Sequence, residues 1–304
     1  MNTSPGAWSV RRVTRLGFLA SMGTALFVLE SLVPLPLPFL KVGLANISTL
    51  ITLIISGPVD ALIVVFLRVL VGSLVTGSFF GPSFILAMSA GIVSAAVMGG
   101  VRAAAGKSFG PVGVSLAGSS AHVLTQIAIV AFVYVRNGAV VHLLPVLLVT
   151  ALAGGLVVGI VTARLLPAFG PTGSILPEPS APRPRTWTPG DLLAALLLSV
   201  SIGVSFVALS GVEGTAVIVE VGGVTIEKLN IHENREFTFR GERGEMRVQV
   251  HDGSVRVVEA DCPNRICVHT GWRRREGDVI VCVPNKAVIR ILGKQNTEVG
   301  AITG

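Results

Sequence analysis

Seven long stretches of this chain carry almost no charge, and this feature constrains the fold more than any other. A helix needs about 20 mostly apolar residues to cross the roughly 30 Å of hydrocarbon in a bilayer. Only 13% of the 304 residues are charged, whereas a soluble domain has about 25%. The composition therefore excludes an ordinary water-soluble fold. The apolar stretches are Leu16–Val33, Leu44–Ile55, Ala61–Thr76, Phe84–Val101, Val112–Val135, Val140–Leu165 and Leu192–Leu209.

The second stretch is short for a full crossing, and it is either a re-entrant segment or a strongly buried one. Together, the first six stretches predict a polytopic α-helical membrane module of about six spans, and the seventh predicts a single anchor helix. A Pro-rich segment at residues 171–190 separates the two, because proline removes a backbone donor and clashes with the preceding turn. The predicted organisation is a membrane module over residues 1–170, a cytoplasmic linker over 171–190, a seventh transmembrane helix over 191–210 and an outer domain over 211–304. This layout indicates a fusion of two proteins.

The net charge of +7 lies entirely in the apolar part of the chain. Residues 1–210 hold 11 Lys/Arg and four Asp/Glu, whereas residues 211–304 hold 13 of each. Basic residues collect in short cytoplasmic loops, and a cytoplasmic N-terminus puts eight of the 11 there. The charge therefore predicts a multi-pass protein of the inner (plasma) membrane with an extracytoplasmic C-terminal domain. It gives no support for a nucleic-acid partner, because the soluble-looking segment is electrically balanced. The eight are Arg11, Arg12, Arg15, Arg102, Lys107, Arg164, Arg183 and Arg185.

The C-terminal segment has the alternating, β-branched pattern of a small all-β domain. Gly222-Gly223 and Asp252-Gly253 each separate two such runs, which indicates hairpins. The predicted strands are Ala216–Val221, Val224–Glu227, Glu236–Arg240, Met246–His251, Ser254–Glu259, Val279–Val283 and Ala287–Leu292.

All three cysteines of the chain, Cys262, Cys267 and Cys282, fall in this domain. Outside the cytoplasm, neighbouring cysteines tend to form disulfides, so one interpretation is a structural disulfide with one remaining thiol. The other is a thiol-based redox or soft-metal site, with His269 as a fourth ligand, although the Cys-x4-Cys spacing is unusual for zinc. We assign the three residues as a disulfide or thiol group and assign no metal.

The sequence around the cysteines resembles the NusG domain II family over roughly residues 212–293. The resemblance rests on Cys-Pro-x3-Cys from Cys262, on Gly271-Trp272 and on Cys-x-Pro-Asn from Cys282. The family name records similarity to a domain inserted in some transcription factors and implies no role in transcription here. Members are often tethered to membranes and associated with extracytoplasmic electron transfer, so the resemblance implies a redox partner protein outside the cell membrane.

Polar residues are rare inside the apolar stretches, and such residues usually face a partner, a cavity or a substrate. Four residues near the first three spans, and four on one face of the fifth span, are candidate substrate-binding residues. The alternative for the fifth span is interhelical hydrogen bonding between closely packed small residues such as Gly91, Ala95, Gly99 and Gly118. For two of the others, Glu30 and Arg68, the alternative is a buried ion pair. The candidates are Glu30, Lys41, Asn46 and Arg68, then Ser115, Ser119, His122 and Gln126.

Short motifs in the helical part resemble the Gx transporter family, also known as heptaprenyl diphosphate synthase component I, over about residues 12–168. They are Glu30–Pro36, Lys41–Asn46, Arg68–Ser73 with Gly77-Ser78, Met98-Gly99, and Gly113–Gly118 with His122 and Gln126; Val123 departs from the asparagine expected after the histidine.

This resemblance implies a helical module like the substrate-binding components of energy-coupling-factor importers, which hold a small molecule near the outer face. Such a component depends on a separate ATPase and coupling subunit. The alternative family name implies a noncatalytic membrane subunit for isoprenoid or quinone assembly, with a soluble prenyl synthase as its partner.

The sequence gives no support for an enzyme and identifies no cofactor. Prenyl elongation needs paired aspartates that hold magnesium, yet none of the five aspartates lies within four residues of another. A phosphate-binding Gly-x4-Gly-Lys-Ser/Thr loop is also missing from the sequence. We therefore expect a transporter-type component that binds a small apolar or vitamin-like molecule and is linked to an extracytoplasmic redox system. The basic run Arg273–Arg275 beside Trp272 is either a solvated turn or a contact for an anionic partner or lipid headgroups.

Overall fold

We describe a computed structural model of the chain over residues 9–32, 43–169, 188–209, 213–263 and 265–293. Contacts divide it into two units. The first, called the helical unit, contains the described residues up to 125 together with residues 148–199. The second contains residues 126–147 and the described residues from 200 onward, including the β domain. Each unit is described by itself.

Seven main helices account for the apolar stretches. Four of them begin at a proline, which suits the first turn of a helix because its missing N–H would have no intrahelical acceptor there. A π-helical turn at Val130–Tyr134 follows α5, and a 3-10 segment at Gly138–Leu143 precedes α6. The helices are α1 Val10–Leu32, α2 Asn46–Ser56, α3 Pro58–Val75, α4 Pro82–Ala105, α5 Pro111–Ile129, α6 Leu144–Leu165 and α7 Pro189–Leu209.

In the described residues, five helical segments are long and apolar enough to cross a membrane. They are α1, α3, α4, α5 with its π turn, and α6 with the following turn. The protein is therefore membrane-embedded. Helix α2 has only 11 residues and is buried along seven consecutive positions from Ile47 to Leu53. It is the short second stretch of the sequence, and it packs against α1, α3 and α4.

An ion pair joins the first turns of α1 and α3. The guanidinium of Arg12 donates to the carboxylate of Asp60, with Nη2 2.5 Å and Nε 3.1 Å from Oδ1. Asp60 is buried, and an acidic group in the first turn of α3 also interacts favourably with the helix dipole. The two helices therefore begin side by side.

A buried carboxylate likewise joins the first turns of α5 and α7. Asp191 is 0% exposed, and its Oδ1 accepts hydrogen bonds from the backbone N–H groups of Gly110 and Gly113, both at 2.9 Å. Its Oδ2 accepts from the backbone of Thr188 at 2.8 Å. The first N–H groups of a helix have no partner within the helix, so one side chain from α7 supplies acceptors at the beginning of α5.

The β domain consists of two antiparallel sheets. Strands β2, β1, β7 and β6 form one sheet in that order, and β3, β4 and β5 form the other. The predicted hairpin turns are present: Gly222 and Gly223 have φ of +60° and +85°, and Asp252 and Gly253 have +46° and +67°, as type I′ turns require. The strands are β1 Ala216–Val221, β2 Val224–Asn230, β3 Arg235–Arg240, β4 Glu245–His251, β5 Ser254–Ala260, β6 Val279–Cys282 and β7 Ala287–Leu292.

The core of this domain is made by the inward-facing residues of both sheets. Val217 and Val219 from β1 lie in one cluster with Ile289 from β7, and with Val248 and Val257 from the other sheet. Cys267 and Cys282 belong to the same cluster. A four-residue helix, α8 (Ile266–His269), carries Cys267 and lies against β5 and β6; the sequence did not predict this helix.

The Asp191 contacts predict a measurable stability effect in the full-length protein. Replacing Asp191 by Ala leaves the N–H groups of Gly110 and Gly113 without these acceptors, and we expect a loss of about 1–3 kcal/mol. Asp191→Asn keeps one acceptor oxygen, so its stability should lie between those of the wild type and Asp191→Ala. The measurement is the temperature at which detergent-purified protein loses its monodisperse gel-filtration peak.

The matched control is Asp252→Asn, because the side chain of Asp252 is 82% exposed. We expect it to melt with the wild type. Equal melting of Asp191→Ala and wild type would show that the cap does not stabilise the helical unit.

Candidate functional site

Arg68 is the most unusual side chain of the helical unit. It lies on α3, beyond the middle of the helix toward its C-terminal end, and is only 3% exposed. Its Nη2 donates a 2.7 Å hydrogen bond to Oδ1 of Asn46, in the first turn of α2. Its Nε has no hydrogen-bond partner among the described residues. A buried guanidinium with an unused donor is costly in an apolar surrounding, and a bound anion would reduce that cost.

Glycines allow two neighbouring helices to approach this guanidinium. A Cβ atom on Gly23 of α1 would lie 3.1 Å from Cδ of Arg68, and one on Gly91 of α4 would lie 3.8 Å from Nη2. Arg68 on α3 is therefore enclosed by residues of α1, α2 and α4. Of the small residues singled out in the sequence, Gly91 is thus a neighbour of the charged group itself.

Glu30 lies near the end of α1, on the same side of the unit as the start of α2. Its carboxylate accepts a 2.5 Å hydrogen bond from the backbone N–H of Leu44 and interacts electrostatically with Arg68. Glu30 and Asn46 both lie near Arg68, and the described hydrogen bond of Arg68 is to Asn46. Lys41, the fourth predicted member, lies outside the described residues.

The polar residues of the fifth span lie on α5, and the described contacts of one of them, Ser119, are helix-packing contacts. Ser119 donates to the backbone oxygen of Leu116, and a Cβ on Gly155 of α6 would lie 2.4 Å from its Oγ. Ser115 is buried, His122 is half-buried and Gln126 is nearly buried. Ser119 therefore packs at the α5–α6 interface, while its hydrogen bond stays within α5.

The small residues of α4 and α5 also pack closely. Ser94 donates a 2.8 Å hydrogen bond to the backbone oxygen of Gly118, and Met98 would collide with a Cβ at Gly118. Gly99 lies against Pro58. These positions hold helices together at short separation, as small residues do in membrane proteins.

The three cysteines of the β domain come together in space. Cys262 follows β5, Cys267 lies on α8 and Cys282 ends β6. Their sulfur atoms all lie within 4.8 Å of one another, with 3.9 Å between Cys262 and Cys267. All three are free thiols in the structure. The proposed fourth ligand, His269, is exposed on α8 and does not belong to the group.

Asn285 fixes the position of Cys282. It is 0% exposed, and its Oδ1 accepts hydrogen bonds from the backbone N–H groups of Arg243 and Gly244 at 3.0 and 3.1 Å. Its Nδ2 then points to the sulfur of Cys282 at 3.6 Å. The turn between β3 and β4 therefore orients the amide, and the amide orients a donor toward the sulfur.

The hydrogen bonds of the cluster shift the pKa values of the three thiols in different directions. Hydrogen bonding by the Cys267 thiol, assisted by the N–H groups of Asn285 and opposed by burial, lowers the pKa of Cys282 to about 6. The same bond to Cys282, together with burial, raises the pKa of Cys267. Burial also raises the pKa of Cys262. The hydrogen bonds therefore make Cys282 the most acidic thiol of the group.

The basic run Arg273–Arg275 lies in an ordered turn. The backbone N–H groups of Arg274 and Arg275 both donate to Oδ2 of Asp278, at 3.1 and 2.9 Å. The ring of Trp272 is covered by the guanidinium of Arg256, 4.5 Å from its centroid. An open depression of about 600 Å³ is lined by the basic run together with His251, Trp272 and Asp278. The turn is held by Asp278, which favours the structural interpretation of this run.

Sequence reasoning missed three buried polar residues: Asp60 and Asp191, which join helix ends, and Asn285, which orients a donor toward Cys282. Asp60 and Asp191 both follow a proline at the start of a helix, which is a signal for a first-turn carboxylate. Asn285 is part of the Cys-x-Pro-Asn motif, but its role depends on the turn at Arg243 and Gly244, which is distant in sequence. No local pattern predicts that contact.

The fold and the two groups of side chains define a class: a membrane-embedded helical protein that carries a small antiparallel β domain with a cluster of cysteines. Residues 19–165 match the family model described as heptaprenyl diphosphate synthase component I. Residues 192–295 match NusG domain II, a match that includes most of α7. One polypeptide therefore matches both family models, in the order that the sequence motifs indicated.

Two solved structures are similar to part of the chain. The Lin0431 protein from Listeria innocua is 28% identical over 28% of this chain and 100% of its own, with a TM-score of 0.26. A DUF1312 family protein from Ruminococcus gnavus is 28% identical over 26% of this chain and 97% of its own, with a TM-score of 0.23. With TM-scores this low, we infer neither the fold nor the function of the chain from these two structures. No curated protein matches the chain.

The lowered pKa of Cys282 predicts a titration in reduced, chelator-treated full-length protein. Thiolate ultraviolet absorbance should show a step centred near pH 6 that Cys282→Ser removes. Asn285→Ala should move the step to higher pH because one donor to the sulfur is lost. Since the folded pKa lies below the ordinary value of 9.0, the thiolate should also stabilise the folded state increasingly as pH rises from 6 toward 9.

Asn230→Ala is the control, because Asn230 also accepts a backbone N–H, from His232, but belongs to a different turn. It should leave the step unchanged. A wild-type step at the ordinary thiol pKa would contradict the assignment.

Proposed function

We propose that the helical unit is a transporter-type membrane component that binds a small, largely apolar or vitamin-like molecule with an anionic group. Arg68, together with Asn46, holds that group. One observation carries the proposal: Arg68 is buried among four helices and keeps an Nε donor without a partner among the described residues.

Physical chemistry supports an anion at this place. A charge within a membrane protein costs several kcal/mol unless it is paired, and such residues commonly mark ligand or ion pathways. Arginine presents a planar set of donors that suits carboxylate and phosphate groups. The single described bond to Asn46 satisfies one donor of that set. An anionic headgroup could accept from the others while an apolar tail lies between the helices.

We also infer that the β domain lies on the extracytoplasmic side and is linked there to a redox or electron-transfer system. The distribution of basic residues supports this side. Within the second unit, the side-chain amide of Asn137, in the turn between the π helix and α6, donates to the carboxylate of Glu220 on β1. That turn is an outer loop in the orientation favoured by charge. The cluster of three thiols supports a redox link.

A second candidate function is a noncatalytic membrane subunit for heptaprenyl diphosphate synthesis. The match of residues 19–165 to the component I family favours it. A prenyl diphosphate is also an apolar chain with an anionic headgroup, so the Arg68 site fits both candidates. Co-purification separates them: an ATPase with a coupling subunit supports transport, and a soluble prenyl synthase supports the synthase subunit.

Variants of Arg68 test the binding site directly. Full-length protein is purified in mild detergent, and retained small molecules are identified and quantified by native mass spectrometry. Arg68→Gln should lower the retained amount at least about tenfold, since hydrogen bonds to charged groups contribute about 1.5–3 kcal/mol. Arg68→Lys should lose less, because the charge remains and only the fork geometry is lost.

The control is Arg12→Gln. Like Arg68→Gln it removes one positive charge from the helical unit, but the contact that it breaks is the ion pair with Asp60 and not one of the proposed ligand site. It should retain the molecule. Asn46→Ala is a second test that leaves the guanidinium in place and should weaken retention. If Arg68→Gln keeps its gel-filtration profile and retains as much as the wild type, the proposed site is wrong.

The orientation is tested with paired cysteine substitutions. Thr225 on β2 and Ala104 at the end of α4 are both exposed. An impermeant maleimide should label Thr225→Cys on intact cells, and Ala104→Cys only after permeabilisation. The unsubstituted protein gives the background from the native cysteines. The reverse pattern would contradict the extracytoplasmic placement.

A further inference from the structure

Three sulfur atoms converge in the β domain, although a disulfide needs only two. Cys262, Cys267 and Cys282 come from three different elements, and the largest sulfur–sulfur separation among them is below 4.8 Å. A structural cross-link would leave the third thiol without a role. The convergence of all three requires another explanation.

The separations suit a single metal ion. Thiolate–metal bonds are about 2.3 Å long, so three sulfurs in a plane around one ion lie about 4 Å apart. The 3.9 Å between Cys262 and Cys267 is close to that value.

Asn285 supplies the outer contact that such a site needs. Metal-bound groups are usually held by further hydrogen bonds that orient them and tune the metal. The Asn285 amide donates to Cys282 and is itself fixed by two backbone N–H groups of the β3–β4 turn. Its complete burial excludes water from this side of Cys282.

The number and kind of ligands select the ion. Structural zinc sites have four ligands in tetrahedral geometry, whereas in the described part of the chain this group contains three residues, all cysteines. Thiolates favour soft ions such as Cu(I). Cys262 is only half-buried, which leaves an entry path, while Cys267 and Cys282 are buried.

We propose that Cys262, Cys267 and Cys282 form a three-sulfur site for one Cu(I) ion, with Asn285 as its positioning residue. The ion enters past Cys262 and takes its place among the three sulfurs. Thiol protons are released as the copper–sulfur bonds form, and no electron is transferred. The site is independent of the ligand bound by the helical unit.

The test uses reduced full-length protein in mild detergent without oxygen, with Cu(I) supplied as a complex of a chromophoric chelator. One equivalent of Cu(I) should transfer to the wild type. X-ray absorption should show sulfur neighbours only, and all three thiols should become protected from alkylation. Cys282→Ser should weaken binding at least about 100-fold, and Asn285→Ala about 10–100-fold.

The matched control is His269→Ala. Histidine is a common metal ligand, but His269 lies outside the cysteine group, so this variant should bind Cu(I) with unchanged affinity. Because a buried cysteine variant can fail to fold, the half-buried Cys262→Ser is measured alongside and should also lose binding. Thiol protection in the wild type requires no variant at all.

Several results would overturn the proposal. They are no transfer of Cu(I) to the wild type, equal transfer to a variant with all three cysteines replaced by serine, or binding of Zn(II) without Cu(I). A disulfide among these cysteines in protein alkylated at the moment of cell lysis would also overturn it. None of these results would affect binding at Arg68.

Discussion

The stability of the helical unit depends on its buried charged groups, which must be paired or hydrogen-bonded within the protein because water does not reach them. Asp60 and Asp191 are buried acidic groups in the first turn of a helix, where they accept hydrogen bonds that water would otherwise donate. Each joins its helix to another: α3 to α1, and α7 to α5. Because an unpaired charge or N–H group in this surrounding is costly, these contacts fix which helix ends meet. Arg68 is buried and yet keeps an unused donor: its Nε, like that of the half-buried Arg15, has no partner among the described residues.

The unused donor of Arg68 distinguishes this residue from the side chains that only pack helices together. Close contacts such as Ser94 with Gly118, and Gly155 with Ser119, hold helices together at short separation. Arg68 is enclosed in the same close-packed manner, yet its guanidinium keeps binding capacity. The polar residues of α3 and α5 look alike in the sequence, but their contacts give them different roles.

The β domain is stabilised differently. A small domain buries little apolar surface in its core, and an added cross-link stabilises it further. Its strands and hairpin turns are local features, and alternation with Gly-Gly and Asp-Gly predicted all seven strands within a few residues. The cysteine cluster is not local. The sequence shows Cys262 and Cys267 near each other and Cys282 close behind, but whether two or three sulfurs meet depends on how β6 and α8 pack on β5. Asn285 is a clearer case, since its partners Arg243 and Gly244 lie about 40 residues away.

The sequence alone determined that the chain enters a membrane through apolar helices and ends in a small antiparallel domain. It could do so because length, hydrophobicity and alternation act residue by residue along the chain. The tertiary structure decided which polar groups are used. It assigned Asn46 to Arg68, placed Asp191 at the start of α5, left His269 outside the cysteine group and brought in Asn285. These outcomes depend on distances between segments far apart in the chain, and hydrogen bonds form or fail within a few tenths of an ångström.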